Sequence, residues 1–419
     1  MPIDKQQMAI FLLLFVLSII TVEFYAYQAL KTATKKDWSR RLYWAITILG
    51  YAIFLAQLVL FILGAKYRGM IGMSFAAFIT LSIAKWLIIL VLFAEDIVRF
   101  TVAIGRKFGW FSRSEQYLPS RKKFISQIAL GLTALPFASV LYGVFKGRYD
   151  FRVITHTLTF DDLPQAFDGF QITHISDLHM GTFENKEKVN YAIDLIQKQQ
   201  SDVVLFTGDL VNNESTEVVP WQDILSKLSA PDGVFSVLGN HDYSDYKRWE
   251  TPEDKQADFE NLLRLQNAMG FRLLRNESVL IDRGAERIAI VGVENWGDRF
   301  VKKGDLDLAN KQVAVNDFKI LMSHDPSHWE QIVKDHPVKH HLTLSGHTHG
   351  MQFGIEIPGW IKWSPIQARY KYWAGVYSEN NRYINVNRGL GCLGFPGRIG
   401  IWPEITVIRL KKGVNVSQL

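Results

Sequence analysis

Five short stretches bring together carboxylates, imidazoles and a carboxamide. "SDLH" offers Asp177 and His179, "TGDL" offers Asp209, "LGNHD" offers Asn240, His241 and Asp242, "MSHDP" offers His324, and "SGHTH" offers His347 and His349. Neutral imidazole and carboxylate oxygen are ligands for borderline divalent cations. No thiolate joins any cluster, so the donor set suits Mn, Fe or Zn. In "HLTLSGHTHGMQ" the two histidines stand one residue apart at the end of an apolar run. In an extended turn, positions i and i+2 point the same way, and both rings can face one pocket. A lone rim histidine fits a solvated surface equally well. The recurrence of such residues at five chain positions points to a metal centre.

Each cluster ends an apolar run. "FQITHIS", "DVVLFTG", "GVFSVLG", "RIAIVGVEN", "FKILMSH" and "HLTLSGH" have the length and apolar character of short strands buried on both faces. Between them "KEKVNYAIDLIQKQQ" and "ADFENLLRLQNAMG" have helical amphipathy, the second closed by Gly270. Strands of this kind imply sheets flanked by helices. Ligands leaving the same edge of neighbouring strands converge, as sites on open α/β sheets do. Gly346 is expected to let the chain turn after the last strand, where a side chain would clash.

This texture begins near Tyr149, and what precedes it differs. The chain has 419 residues, is 48% hydrophobic and carries 12 Trp and 27 Phe, a richness that directs attention to membrane spans. Residues 8–30, 42–64, 72–94 and 124–145 are apolar stretches long enough for a hydrocarbon core that needs about 20 residues. Gly131 and Pro136 interrupt the fourth, a feature spanning helices tolerate. The expected organisation is a membrane domain over 1–149 and a catalytic α/β domain over 150–419.

Basic residues concentrate between the first two spans (Lys31, Lys35, Lys36, Arg40, Arg41) and between the last two (Arg99, Arg106, Lys107, Arg113, Arg121, Lys122, Lys123). The positive-inside rule makes both loops cytoplasmic and puts everything after Phe145 on the periplasmic or extracellular side of an inner (plasma) membrane. Those 12 basic residues face only Asp37, Glu95, Asp96 and Glu115, a surplus greater than the whole chain's net +6. The rest is close to neutral and leaves no basic stripe for nucleic acid. The single Cys392 excludes an intrachain disulfide. Within the spans, Glu23 and Lys85 lie at similar depth, and because a lone ammonium there costs at least ~2.5 kcal/mol, the two are expected to pair.

The order D-x-H, G-D, G-N-H-D, H, G-H-x-H over Phe170 to Gly350 resembles the calcineurin-like metallophosphoesterases. "SGHTHGMQ" and the tail "NRGLGCLGFPGRIGIWPEITVIRL" resemble its membrane-associated bacterial branch, which includes exported phosphodiesterases and enzymes acting on UDP-diacylglucosamine. The resemblance implies a four-layer αββα sandwich with two mixed sheets and a two-metal centre. Asp177, His179 and His349 would hold one ion, Asn240, His324 and His347 the other, and Asp209 would bridge them. His241 would stabilise the transition state or protonate the leaving alkoxide, oriented by Asp242.

Phosphoester chemistry is consistent with this. Two divalent ions about 4 Å apart neutralise the phosphoryl oxygens and lower the pKa of a bridging water toward about 7. The expected activity is metal-bridging hydroxide attack on a phosphodiester or phosphomonoester. Its expected substrate is a membrane lipid or lipid-linked phosphate, because "KGRYDFRV" tethers the domain closely and Trp360, Trp363 and Trp373 suit an interface. Arg388 and Arg398 are candidate substrate-binding residues, through bidentate contacts to phosphate. Two alternatives stand beside this: a UDP-2,3-diacylglucosamine pyrophosphate hydrolase, and a metal-binding membrane sensor or transport-associated protein without turnover.

Overall fold

The apolar runs of the first third form long helices. The computed structural model describes residues 5–62, 68–110, 119–357 and 359–414. In it α1 spans Lys5–Ala33, α2 Asp37–Ile62, α3 Arg68–Lys107 and α4 Pro119–Phe145. Leu63 and Gly64 of the expected second span, and Arg113 and Glu115 of the expected third loop, lie outside the described residues. Among the described residues, the one stretch long and apolar enough to cross a membrane by length and composition is Lys123–Tyr149. The chain divides into two compact units, Met1–Val144 and Phe145–Leu419.

In the first unit Lys85 Nζ lies 2.6 Å from Glu23 Oε1, the pairing expected from their matched depth. Helix α2 completes the cluster. Tyr43 donates to Glu23 Oε2 and Tyr51 to Glu23 Oε1, each at 2.6 Å, and Lys85 donates to Thr47 Oγ1 at 3.1 Å. Positions 43, 47 and 51 recur every four residues and share one helix face. Glu23 and Lys85 are each only 6% exposed, so hydroxyls rather than water satisfy the charges.

Among the described residues the second unit has fourteen strands: β1 (Arg152–Phe160), β2 (Gln171–Ile175), β3 (Val203–Phe206), β4 (Val234–Ser236), β5 (Phe271–Leu273), β6 (Glu277–Arg283), β7 (Glu286–Gly292), β8 (Phe318–Met322), β9 (Leu342–Ser345), β10 (Ile355–Ile357), β11 (Ile361–Trp363), β12 (Gly375–Glu379), β13 (Arg382–Val386) and β14 (Glu404–Lys412). One sheet has the order β1-β14-β2-β3-β4-β5, a second β12-β13-β9-β8-β7-β6, and β10 pairs with β11 alone. Both large sheets are mixed. In the first only β14 and β2 pair antiparallel, and in the second β12 with β13 and β6 with β7. The six expected strands are β2, β3, β4, β7, β8 and β9. The parallel pairing of β1 with β14, Arg152 against Glu404 through Phe160 against Lys412, joins the two ends of the unit.

Period-two alternation assigns each strand's side chains to two cores. Val203 and Leu205 of β3 enter a cluster with Ile288 and Ile290 of β7 and Leu342 and Leu344 of β9, which therefore contains residues of both sheets. Val204 and Phe206 instead meet Val189, Ile193 and Ile196 of α5 (Lys186–Gln197) and Leu262 and Leu265 of α7 (Pro252–Ala268), together with Leu225 of the short α6 (Gln222–Leu225). Ala289, Val291 and Leu321 meet Leu306 of α8 (Leu306–Ala309) and Trp329 of α9 (Pro326–Gln331). Buried on both faces, the central strands leave their polar chemistry at their ends.

Candidate metal centre

Asp177, Asp209 and Asn240 follow β2, β3 and β4; His324 follows β8, and His347 and His349 follow β9. Two groups form there. Asp177, His179 and His349 each offer a ligand atom within 4.8 Å of the others, and so do Asp209, His324 and His347. His347 and His349 thus enter different groups. Asp209 Oδ2 lies 3.2 Å from His324 Nε2 and 3.6 Å from His179 Nε2, between the two groups.

The backbone is strained where these side chains leave it. Asp177, His179, Asp209, His347 and His349 have φ of 51°, 43°, 59°, 70° and 51°. Non-glycine residues rarely occupy this region, and such strain gathers at functional sites. A side chain at Gly346 would clash, as expected: a Cβ there would stand 1.9 Å from Ser176 Oγ and 2.2 Å from Asp177 Oδ2. Its own N–H donates to the His324 carbonyl, at 2.9 Å, and the next N–H, that of His347, donates to Asp177 Oδ2 at 2.9 Å. This locks the β9 loop to β8 and β2.

Backbone carbonyls set the imidazole tautomers. His179 Nδ1 donates to the Val211 carbonyl at 3.1 Å and His324 Nδ1 to that of Thr207 at 2.7 Å, turning each Nε2 toward the carboxylates, where it is the atom available to a metal. His179 Nε2 lies 3.0 Å from His349 Nε2. Burial holds the His179 imidazole well below its ordinary range. Burial would lower His324 too, but the Asp209 carboxylate outweighs it and lifts this ring to about 10. Burial opposes the ionisation of Asp209, yet His324 and His241 keep its carboxyl well below the usual range. Asn240 Oδ1 is buried with no hydrogen-bond partner among the described residues, while its Nδ2 donates to Tyr246 Oη at 2.7 Å. Converging imidazole nitrogens, two carboxylates and an unsatisfied amide oxygen form a donor set that fits divalent cations.

His241 is 8% exposed and stacks on Tyr246, with ring centroids 4.1 Å apart. Its Nδ1 donates to the Asn212 carbonyl at 2.7 Å. Asp242 therefore does not orient it. The carboxylate of Asp242 instead accepts from the amides of Asp209 and Gly239 on one oxygen, at 2.8 and 2.9 Å, and of Leu210 and Val211 on the other, at 2.8 and 3.4 Å. The 3-10 turn over Asn240–Tyr243 directs it back into the β3 loop, where it positions Asp209.

Both arginines expected to bind substrate are buried and engaged within the domain, although Arg388 Nε and Arg398 Nη1 have no hydrogen-bond partner among the described residues. Arg388 is 4% exposed and bridges Glu404 and Glu356, the latter at 2.6 Å. Arg398 is fully buried and donates to the Gly389 and Gly391 carbonyls at 3.0 and 3.1 Å. Tight glycine loops turn their carbonyls inward, and the guanidinium satisfies them. This loop is packed on the centre, since Gly391 N donates to the Asp177 carbonyl at 2.8 Å.

Sequence reasoning missed two residues on His347. Its Nε2 is 3.0 Å from Tyr370 Oη and 3.5 Å from Asp325 Oδ2, and both neighbours are buried. Asp325 carried a signal, as it directly follows His324 in "SHDP". Tyr370 lies 23 residues beyond His347 and carried none.

Comparison with known proteins adds to this geometry. Residues 170–351 match the family model described as calcineurin-like phosphoesterase, and residues 7–148 one described as a probable calcineurin-like phosphoesterase transmembrane domain. An uncharacterized metallophosphoesterase of Bacillus subtilis, YkuE, is 32% identical over 263 residues, covering 61% of this chain and 84% of that protein. The phosphodiesterase YaeI of Escherichia coli is 28% identical over 292 residues, 70% of this chain and 99% of YaeI. A transmembrane protein with a metallophosphoesterase domain from Danio rerio is 25% identical over 321 residues, 73% of this chain and 69% of that one.

Proposed function

Because the chain belongs to the calcineurin-like metallophosphoesterases, hydrolases that act on phosphoesters, we propose that it is a membrane-anchored dinuclear phosphoesterase cleaving a phosphodiester or phosphomonoester of an amphiphilic molecule. The observation that carries this reading is the pair of ligand groups, Asp177–His179–His349 and Asp209–His324–His347, with Asp209 between them. Asn240, through its unsatisfied Oδ1, is the remaining ligand of the second group. When bound, two divalent ions (Mn, Fe or Zn) supply charge neutralisation for the phosphoryl group and an activated water.

The chain's own residues do the rest. His241 keeps its Nδ1 proton on the Asn212 carbonyl, so the protonated ring hands its Nε2 proton to the leaving alkoxide and is left as the neutral Nδ1–H form. Tyr246 fixes the ring plane by stacking. Asp242 holds the Asp209 and Gly239 loops together. Tyr370 and Asp325 fix the His347 ring.

In this reading 150–419 is the catalytic domain, an αββα sandwich supported by one cluster that mixes residues of both sheets and two that mix each sheet with helices. Residues 1–149 form a four-span membrane domain, supported by the transmembrane family match. The basic loops favour a catalytic domain on the periplasmic or extracellular face, and the near-neutral remainder of the chain favours lipid or lipid-linked phosphate over nucleic acid.

The test compares turnover of a water-soluble diester, a monoester and an acylated diester in detergent micelles, alongside thiol labelling of sites placed beyond Phe145 and near Lys36. Preference for the acylated diester with external labelling only beyond Phe145 supports the reading. Equal turnover of soluble and acylated substrates removes the lipid assignment, and the reverse labelling pattern places the domain in the cytoplasm.

A further inference from the structure

The β10–β11 hairpin is built inside out. Its register pairs Ile355 with Trp363, Glu356 with Lys362 and Ile357 with Ile361, so the four apolar residues share one face and the two charged ones the other. The charged face makes the contacts to the domain, although Lys362 itself stays exposed. Glu356 pairs with the buried Arg388 at 2.6 Å, and Lys362 donates to the Ala374 carbonyl with its Nζ 5.3 Å from the centre of the Trp373 ring. The apolar face is turned outward, with Ile355 50% exposed, Ile357 43%, Trp363 40% and Trp360, between the strands, 77%, while Ile361 is half-buried. Phe353, also exposed, extends the patch through a ring contact with Trp363 at 6.4 Å. A two-stranded ribbon in water orients its faces the other way. Scattered apolar side chains need no explanation, but a contiguous outward patch marks an interaction surface.

We propose that this hairpin inserts into the lipid surface of the membrane that anchors the chain, and so carries the metal-bearing loop to the bilayer interface. Two observations select lipid as the occupant. The apolar stretch Lys123–Tyr149 runs into β1 at Arg152 with only Asp150 and Phe151 between, so the second unit is covalently held at the bilayer that this stretch would cross. The most exposed side chain of the patch is an indole, whose apolar body and polar N–H suit the headgroup boundary. The root of the hairpin is the metal loop itself. Ser364, next after β11, donates to the Gly350 carbonyl at 2.8 Å, and Gly350 adjoins His349. The proposal rests on the membrane-anchored reading and adds to it the element that meets the lipid.

The experiment uses the full chain in nanodiscs of phosphatidylethanolamine and phosphatidylglycerol. Trp360→Cys is labelled with an environment-sensitive NBD fluorophore, and Lys227→Cys serves as an exposed reference; the native Cys392 is buried and spared. The expected result is blue-shifted emission at 360 that is lost on adding doxyl-labelled lipid and resists aqueous iodide, with the opposite behaviour at 227. Iodide-quenched, unshifted emission at 360 overturns the proposal. So does a blue shift that ignores doxyl lipid and disappears on dilution of the protein, which would assign the patch to a second copy. Lipid quenching reads insertion alone. It stands if acylated substrates are not hydrolysed, and its absence leaves the substrate comparison untouched.

Discussion

Replacing Asp242 separates a positioning role from a catalytic one. Its carboxylate accepts four buried amide hydrogens, two on each oxygen, from the loops that carry Asp209 and Asn240. Asp242→Ala leaves all four without an acceptor. At roughly 1–3 kcal/mol for each unsatisfied buried group, the loss rivals the ~5–15 kcal/mol that holds a typical domain together. Asp242→Asn keeps one oxygen and its two donors but turns an NH₂ toward the other pair, a loss of about half that size. The Asn variant is therefore expected to fold with a lowered Tm and to bind metal poorly, because Asp209 is no longer held between the two groups. The assay is thermal unfolding of the full-length protein in detergent with and without Mn, followed by metal analysis. If Asp242→Asn keeps wild-type Tm and metal content and loses only turnover, the positioning argument is refuted and the carboxylate acts on His241 after all.

His241→Ala should keep its metal while turnover falls roughly 10²- to 10⁴-fold, the size of a general-acid contribution; a metal-stripped protein would contradict the separation of roles. Glu23→Gln and Lys85→Met should each destabilise the first unit by about 3–5 kcal/mol, as breaking a buried pair does, and the double variant should recover part of that loss. Additive losses in detergent unfolding would show that the pair does not act as one. Burial lowers His328 from an ordinary 6.5 to about 4. It lowers His340 to about 3. Both are neutral in the fold, so below about pH 6.5 the unfolded chain binds more protons, and stability falls with pH until the folded pKa is passed. Tm should drop over that window, less steeply in His328→Gln; identical slopes would remove His328 as a cause.

Legibility tracked how locally each role is set. The convergence of the candidate ligands was readable because divalent-ion chemistry restricts residue types and strand ends restrict position, so short stretches such as "SGHTH" carry most of the information. The Glu23–Lys85 contact followed from the cost of an unpaired charge in a bilayer, although the hydroxyls of Tyr43, Thr47 and Tyr51 that complete it did not. Long-range partners were hidden. Arg388 and Arg398 read as phosphate ligands in the sequence, whereas in the fold most of their nitrogens are turned to Glu356, Glu404 and inward-facing glycine carbonyls. Asp242 misled through adjacency: it follows His241 in the chain, yet a 3-10 turn sends it to the amides of another loop. The β10–β11 hairpin had the composition of an interface, but only its register reveals that the charged face is the one that contacts the domain.

Metal stoichiometry, measured together with hydrolysis, tests the central claim most directly. Full-length protein purified with Mn should carry two ions per chain and hydrolyse a generic phosphodiester, and Asp209→Asn should lose both ions and the activity together, because Asp209 Oδ2 stands between the two ligand groups. An Asp209→Asn protein that retains two ions and wild-type hydrolysis would contradict the account.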